Sequence, residues 1–204
     1  MRGLYAITPD VSSTQALERM VRQAIDGGIA FLQYRNKLAD PALRREQCEV
    51  LLAIARAKRV PLIVNDDVAL AAAIDADGAH IGRDDGAIAA ARRALPGKLL
   101  GASCYASFEA AEDAVRQGAD HVAFGSVFAS STKPAAGRAP MALFARARSL
   151  GVPLVAIGGI NVDNAPELIS AGADCVAVIT DLFGAPDIAS RAIAYRKLFE
   201  KGIA

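Results

Sequence analysis

Eight short apolar runs alternate along this chain with alanine-rich segments of helical spacing, and this alternation is what most restricts the fold. The apolar runs are continuous, without a polar residue at every second position, which is typical of parallel strands covered on both faces. The predicted strands span residues 4–8, 31–35, 62–65, 79–82, 99–103, 122–127, 154–158 and 175–180. The predicted helices span residues 14–26, 41–59, 68–74, 86–94, 108–117, 140–150, 164–171 and 187–200.

A short motif recurs at the entry into several predicted strands. Gly-Ala-Asp occupies residues 118–120 and 172–174, and Asp-Gly-Ala occupies residues 77–79. Glycine at such a point ends the preceding helix, because it adopts the left-handed conformation at low cost. Eight strand–helix units in 204 residues predict one α/β domain over residues 1–204, a compact (β/α)₈ TIM barrel. The alternative, an open doubly wound sheet, usually has a glycine-rich turn after its first strand, and this chain has Thr8-Pro9-Asp10 there.

Composition narrows the class of protein. Hydrophobic residues make up 53% of the chain and the net charge is +1, so neither disorder nor a nucleic-acid partner is expected. The odd count of three distant cysteines predicts free thiols in a reducing compartment. The first apolar run is too short for a signal peptide, and no run approaches the length of a membrane span. We therefore expect a cytoplasmic protein without a membrane partner. The sequence leaves its oligomeric state open, a homo-oligomer included.

Polar side chains collect where the predicted strands end, and in a barrel the carboxyl ends of all strands converge on one face. After the second strand, Gln33, Arg35 and Lys37 alternate, so their side chains share one face of an extended segment. One amide and two cations on one face suit a polyanion attached to a heterocycle. The alternative is a solvated strand end in which arginine pairs with Asp66.

Four carboxylates, Asp66, Asp67, Asp84 and Asp85, follow the third and fourth strands. Grouped acids beside cations suggest Mg²⁺, which takes one or two carboxylates together with phosphate oxygens and water. The alternative is that Asp67 and Asp85 only cap the following helices.

Two further loops point to anions. Gly158 and Gly159 follow the seventh strand, where such barrels often bind a phosphate group, although a tight turn alone would also require glycine. The loop 125–138 brings hydroxyl groups and Lys133 to the same face, and its alternative is a solvated connector. His80 and His121 stand near strand starts, which predicts structural roles at the opposite face. Two anion sites and an acidic pair in one mouth suit the joining of two phosphorylated small molecules.

Six motifs in this order resemble the thiamine-phosphate synthase family. The resemblance covers nearly the whole chain, from about residue 4 to residue 183. Its motifs are Gln33-x-Arg35-x-Lys37, Asn65-Asp66, His80-x-Gly82-x-x-Asp85, Gly101-x-Ser103, Gly125 with Thr132-Lys133-Pro134, and Ala156-x-Gly158-Gly159-Ile160.

The resemblance implies that a hydroxymethylpyrimidine diphosphate loses pyrophosphate, through a pyrimidine cation, before a thiazole phosphate attacks. It implies Mg²⁺ as the cofactor, bound by Asp66 and Asp85. It assigns the pyrimidine diphosphate to Gln33, Arg35, Lys37, Asn65 and Ser103, and the thiazole substrate and departing pyrophosphate to Ser130, Thr132 and Lys133. It assigns the thiazole phosphate to Gly159, Ile179 and Thr180, and catalytic roles to Ser103, Lys133 and Arg35.

Two other functions fit the same fold. A thiazole tautomerase resembles this family but depends on a histidine where this chain has Ser126. A catalytically silent barrel that binds thiamine precursors is the other alternative, and the intact set Asp66, Asp85 and Lys133 argues against it. Departures from the family pattern are Arg83 for glutamine, Asn36 for an acid, Ser130 for threonine and Thr180 for serine. Arg83 leaves the coordination of the expected metal open.

Overall fold

Eight parallel strands form a closed barrel in which each strand pairs with its neighbours in sequence and the first pairs with the last. The computed structural model describes residues 1–129 and 138–200. The predicted (β/α)₈ barrel is thereby confirmed. The strands are β1 (Gly3–Ile7), β2 (Phe31–Tyr34), β3 (Leu62–Asn65), β4 (Gly78–Ile81), β5 (Leu99–Tyr105), β6 (His121–Phe124), β7 (Leu154–Ile157) and β8 (Cys175–Val178).

The described helices follow the strands around the outside of the barrel. Among the residues that the structure describes, no helix combines the length and apolar character that crossing a membrane requires. The helices are α1 (Thr14–Asp26), α2 (Pro41–Ala57), α3 (Val68–Ala73), α4 (Ile88–Ala94), α5 (Phe108–Arg116), α6 (Ala142–Ala147), α7 (Ala165–Ala171), α8 (Thr180–Phe183) and α9 (Ile188–Glu200), with a 3₁₀ turn at Arg148–Leu150.

Side-chain alternation along the strands divides the core into two layers. Leu4 and Ala6 point outward and pack among the apolar faces of the helices. Tyr5 and Ile7 point inward, where they meet residues such as Ile63 from the other strands and fill the barrel. Burial on both faces explains why the strand sequences are continuous apolar runs. The three cysteines are free and buried, as the composition predicts.

Local signals set the helix starts. The Ser13 hydroxyl accepts a hydrogen bond from the Ala16 N–H at the start of α1, and the Asp40 carboxylate accepts one from Leu43 at the start of α2. Such caps satisfy backbone donors that have no partner inside the helix. Pro41 follows Asp40 at the first helical position, where its missing N–H costs nothing.

Several predicted strands extend too far at the mouth. β8 ends at Val178, and the chain then turns into α8, with the Phe183 N–H bonded to the Ile179 carbonyl at 2.9 Å. β6 likewise ends at Phe124, although Val127 beyond it is buried. Hydrophobicity reports burial, and loops that cover a barrel end bury apolar residues as strands do. The predicted strands 122–127 and 175–180 were therefore wrong in their last residues.

The repeated Asp motif links the strands at the opposite face. The carboxylates of Asp77, Asp120 and Asp174 precede β4, β6 and β8, and each accepts a hydrogen bond from the first or second N–H of the strand before. The distances to Leu62, Leu100 and Leu154 are 2.8, 2.7 and 2.9 Å. These backbone donors belong to buried residues, so the carboxylates satisfy groups that water would not reach.

We expect Asp174→Ala to lower the free energy of unfolding by about 1–3 kcal/mol, because the substitution leaves the Leu154 N–H without its acceptor. Urea denaturation measures the change. The matched control is Glu112→Ala, which also removes one carboxylate but from the exposed surface of α5, and its effect should stay within about 0.5 kcal/mol. Equal effects of the two substitutions would contradict the role of the motif.

Candidate functional site

Two neighbouring cavities open at the carboxyl ends of the strands. One has a volume of about 400 Å³ and the other about 320 Å³, within the range of small-molecule sites. Ser103 and Tyr105, at the end of β5, line both. Ala123, Ile157, Ala177 and Ile179 line both cavities as well, so ligands in the two cavities would lie side by side along β5 to β8. We call the larger the glycine cavity and the smaller the charged cavity.

The charged cavity holds the alternating residues at the end of β2 and just beyond it. Gln33, Arg35 and Lys37 all line it, and Asn65 joins them from the end of β3. Gln33 is almost fully buried, and its amide nitrogen donates to the Tyr5 hydroxyl at 2.9 Å. The amide is thus fixed at the floor of the cavity, below the two cations.

Asp10, which the sequence analysis did not single out, positions this segment. The Arg35 guanidinium donates to both carboxylate oxygens of Asp10 at 3.1 Å, and the Lys37 backbone N–H donates to Asp10 at 2.7 Å. The Thr8 hydroxyl bonds both the N–H and the carbonyl of Arg35 at 2.8 Å. The arginine therefore pairs with Asp10 rather than with Asp66. The sequence position of Asp10 could have indicated this role, because Thr8-Pro9-Asp10 directly follows the first strand.

The carboxylates of Asp66 and Asp85 face each other in the charged cavity. Partial burial raises the pKa of Asp66, and a hydrogen bond with Asp85 and the charge of Asp85 raise it further, while Lys37 opposes the rise. The Lys37 ammonium lies 3.8 Å from the Asp66 carboxylate. Asp66 adopts the left-handed backbone conformation, with φ +63°, which costs energy in a non-glycine residue and concentrates at functional sites. Two acids that approach so closely favour a bound cation.

The other predicted acids are divided between structure and site. Asp67 caps α3, with its carboxylate accepting from the Leu70 N–H at 2.8 Å, so the capping alternative holds for this residue. Asp85 does not cap α4. Its carboxylate accepts from the Gly82 N–H at 2.8 Å, which fixes one oxygen and leaves the group in the cavity with Asp84.

His80 lies in the charged cavity, so the prediction that placed it at the opposite face was wrong. Neighbouring barrel strands are staggered, and His80 of β4 pairs with Asn65, the last residue of β3. A residue in the middle of one short strand is therefore level with the end of its neighbour. The His80 Nε2 lies 2.9 Å from the Ser103 hydroxyl oxygen. Position in the sequence alone does not reveal this stagger.

The glycine cavity is shaped by two residues with positive φ. Gly158 has φ +106° and Gly159 has φ +64°. A Cβ atom on Gly158 would lie 2.1 Å from the Ser126 hydroxyl oxygen, and one on Gly159 would lie 2.2 Å from the Ala129 carbonyl oxygen. Both positions thus require glycine for two reasons: the positive φ disfavours other residues, and there is no space for a Cβ atom. The predicted residues Ile179 and Thr180 line the same cavity.

Asp181 also lines the glycine cavity, and two residues outside the cavity lining, Arg191 and Tyr195, bind its carboxylate. The Arg191 guanidinium donates to both of its carboxylate oxygens at 3.1 and 3.2 Å, and the Tyr195 hydroxyl donates at 2.7 Å. This pairing offsets the repulsion that a free carboxylate would exert on an anion in the cavity. Sequence reasoning named Thr180 and missed its neighbour.

The predicted residues Ser130, Thr132 and Lys133 lie outside the described residues. The chain on either side of them meets at Ser126, whose carbonyl accepts from the Ala139 N–H at 2.9 Å and whose hydroxyl donates to the Phe128 carbonyl at 2.6 Å. Both flanks of the loop are thereby held beside the glycine cavity.

Comparisons with known proteins agree on one family. The family model described as thiamine monophosphate synthase matches residues 4–182. The thiamine-phosphate synthase of Aromatoleum aromaticum is 54% identical over 98% of this chain and 97% of its own length, and that of Methylobacillus flagellatus is 55% identical over 98% and 96%. A solved thiamine phosphate pyrophosphorylase from Pyrococcus furiosus superposes with a TM-score of 0.86 at 34% identity, covering 99% of this chain and 97% of that one.

We expect Gly159→Ala to weaken the binding of inorganic phosphate about tenfold or more, the equivalent of one charge-assisted hydrogen bond. The added methyl group collides with the Ala129 carbonyl and displaces the loop that forms the cavity. Isothermal titration calorimetry measures the affinity. Gly151→Ala is the matched control, because Gly151 has a similar φ of +69° but open space around it. Unchanged phosphate affinity in Gly159→Ala would remove the anion site from this loop.

Proposed function

Because the chain belongs to the thiamine-phosphate synthase family, we propose that it joins hydroxymethylpyrimidine diphosphate to thiazole phosphate and releases pyrophosphate. It is a transferase of thiamine biosynthesis. The observation that carries the proposal is the pair of cavities that meet at Ser103 and Tyr105, one lined by cations and acids and the other by a glycine-rich loop. Two anionic substrates can lie side by side there.

The charged cavity suits the pyrimidine diphosphate. Arg35 and Lys37 supply positive charge for the diphosphate, and Asp10 holds the guanidinium so that little of its rotational freedom remains to be lost on binding. Gln33 and Asn65 offer amide groups to the edge of the heterocycle from the cavity floor and rim. Amides suit that role because each presents both a donor and an acceptor.

Asp66 and Asp85 are the residues that would hold Mg²⁺. The described residues contain no group of three or more His, Cys, Asp or Glu side chains arranged for a metal. A pair fits Mg²⁺ nonetheless, because this ion commonly takes one or two protein carboxylates and completes its shell with phosphate oxygens and water. Burial raises the pKa of Asp66 most, and the hydrogen bond with Asp85 and the charge of Asp85 raise it further, so a bound cation would stabilise the charged form of the pair. When bound, the ion would neutralise charge on the diphosphate.

The glycine cavity suits the thiazole phosphate. Gly159 allows backbone groups to approach a phosphate closely, and Ile179 and Thr180 line the same cavity. The cavity also has apolar walls, including Ala177 and Val178, that suit a thiazole ring. Substrates held in adjacent cavities would bring the ring nitrogen and the reacting carbon together without further ordering.

In the proposed reaction, the bond to pyrophosphate breaks largely before the thiazole nitrogen attacks, and a pyrimidine cation forms. Such a step depends on stabilising the leaving group more than on a strong base. Arg35 stabilises the departing pyrophosphate, together with Lys133, Ser130 and Thr132 of the loop. Ser103 stands at the junction of the cavities, where its oxygen would face the developing cation.

The side chain at residue 126 argues against the tautomerase alternative. A serine stands there, and its neutral hydroxyl is a far weaker base for moving a proton on the thiazole than the imidazole of a histidine. Incubation with thiazole phosphate alone separates the two functions. We expect no isomerisation, and isomerisation at a rate near that of the coupled reaction would favour the tautomerase.

The decisive assay follows pyrophosphate release in the presence of Mg²⁺. We expect release only when both substrates are supplied, together with formation of thiamine phosphate. Release from the pyrimidine diphosphate alone would indicate a hydrolase, and no release with both substrates would leave a binding protein. Exhaustive chelation should abolish turnover, and full rates after chelation would remove the role of the metal.

We expect Asp66→Asn to lower kcat about 100-fold or more, because it removes one charge of the acidic pair while keeping the side-chain shape. Asp67→Asn is the matched control. Asp67 adjoins Asp66 but caps α3, and asparagine is an equally good helix cap, so turnover and fold should both be retained. Similar rates for the two variants would sink the assignment of Asp66, and circular dichroism verifies that both are folded.

A further inference from the structure

Two histidines meet inside the barrel across a glycine. His80 of β4, Gly101 of β5 and His121 of β6 are successive partners in the register of three neighbouring strands. A Cβ atom on Gly101 would lie 2.2 Å from the His121 Nε2 and 2.3 Å from the His80 Nδ1. Glycine is therefore required at this position to let the two rings come together. The backbone conformation of Gly101 does not require glycine, since its φ is not positive. The space that the two rings occupy does.

The two rings form a line of nitrogen atoms that leads to Ser103. The His121 Nε2 lies 3.5 Å from the His80 Nδ1, and the His80 Nε2 lies 2.9 Å from the Ser103 hydroxyl oxygen. His121 is fully buried, and its Nδ1 is the one buried side-chain polar atom of the described residues without a hydrogen-bond partner. At 3.5 Å between two buried rings, a lone pair facing an N–H is the favourable arrangement, because two lone pairs or two N–H groups would repel each other.

The unpartnered nitrogen decides where the protons lie. Burial lowers the pKa of His121 to about 4, so the ring is neutral near pH 7 and carries one proton. A proton on Nδ1 would be a buried N–H without an acceptor, which is rarer in proteins than an unused lone pair. The proton is therefore on Nε2, from which it is donated to the His80 Nδ1. Accepting this hydrogen bond requires a lone pair on the His80 Nδ1, so the proton of that ring is on Nε2, from which it is donated to the Ser103 oxygen.

We propose that His121 is a positioning residue, which sets the tautomer of His80 so that the Ser103 oxygen receives an N–H and keeps its hydroxyl proton for the substrate. Ser103 then presents a donor, as well as one remaining lone pair, where the two cavities meet. The donor would bind an acceptor atom of the substrate, such as a heterocycle nitrogen or a phosphate oxygen. This consequence for turnover rests on the proposed function, whereas the tautomer itself does not.

Nuclear magnetic resonance of the tag-free protein, labelled with ¹⁵N at histidine, tests the tautomer directly. The chain has two histidines, so the spectrum contains four ring nitrogens. Near pH 7.5 and without substrate, we expect both rings to carry a proton on Nε2 and none on Nδ1. A proton on Nδ1 of either ring, or on both nitrogens of His80, overturns the proposal. An inactive protein with the expected spectrum would instead contradict the proposed function.

Two substitutions test the coupling. His121→Phe keeps an aromatic ring but removes the donor, so the His80 nitrogens should shift toward a mixture of tautomers. Under the proposed function, kcat should fall about fivefold, the rate equivalent of one neutral hydrogen bond, with KM for thiazole phosphate little changed. His121→Gln is the matched rescue variant, since its amide N–H reaches the place of Nε2, and it should keep the His80 tautomer and most of the rate.

An unchanged His80 spectrum in folded His121→Phe would overturn the coupling, as would equal rate losses in the two variants. If His121→Phe does not fold, the wild-type spectrum and the His121→Gln variant still decide the question. The ring-nitrogen spectra of the wild type and of His121→Gln report the tautomer of His80 and not only the stability of the fold. A purely structural role for His121 would leave that tautomer unchanged in His121→Phe.

Discussion

The pairing of β1 with β8 closes the sheet, and the site depends on this closure. A closed parallel sheet has no free edge, so every strand has two neighbours and its register is fixed on both sides. The carboxyl ends of eight strands then surround one opening. Residues more than 170 positions apart, such as Ile7 and Ile179, line the same cavity for this reason alone. The stagger that accompanies closure also brings His80 level with the end of β3.

Within that opening, charges are arranged in supported pairs. Asp10 holds Arg35 from behind the cavity, and Arg191 with Tyr195 holds Asp181 in the same manner at the other side. Asp10, Arg191 and Tyr195 lie outside the lining of the two cavities, whereas Arg35 and Asp181, which they hold, are part of it. The acidic pair differs, because Asp66 and Asp85 face each other and their repulsion is relieved only partly by Lys37.

The fold could be predicted from the sequence because strands that are buried on both faces are continuous apolar runs. The Gly-Ala-Asp motif also marks where several of these strands begin. The structure places the predicted residues Gln33, Arg35, Lys37 and Asp66 in one cavity, because Gln33 lies near the end of β2 and the other three follow strands. Their roles in binding stay predictions. What the sequence did not reveal depends on register and stagger.

His80 was placed at the wrong face because its position within β4 says nothing about how far β4 is displaced relative to β3. Asp10 was missed although it follows a strand, because its role appears only once Arg35 is seen beside it. The ends of β6 and β8 were misjudged because the loops beyond them bury Val127 and the residues around α8. Hydrophobic patterns record burial, and they do not separate a strand from a loop that covers a core.

The Asp motif at the base of the barrel has a consequence for how such a chain can change over time. Asp77, Asp120 and Asp174 bind strand starts, while the two cavities open at the other ends of the strands. A substitution at the mouth therefore leaves these stabilising contacts intact. Mutations at the mouth that alter substrate binding would therefore not reduce the part of the folding free energy that these contacts supply. Residues at the mouth can diverge for that reason while the barrel stays folded. The same separation explains why proteins with unrelated chemistry can retain this architecture.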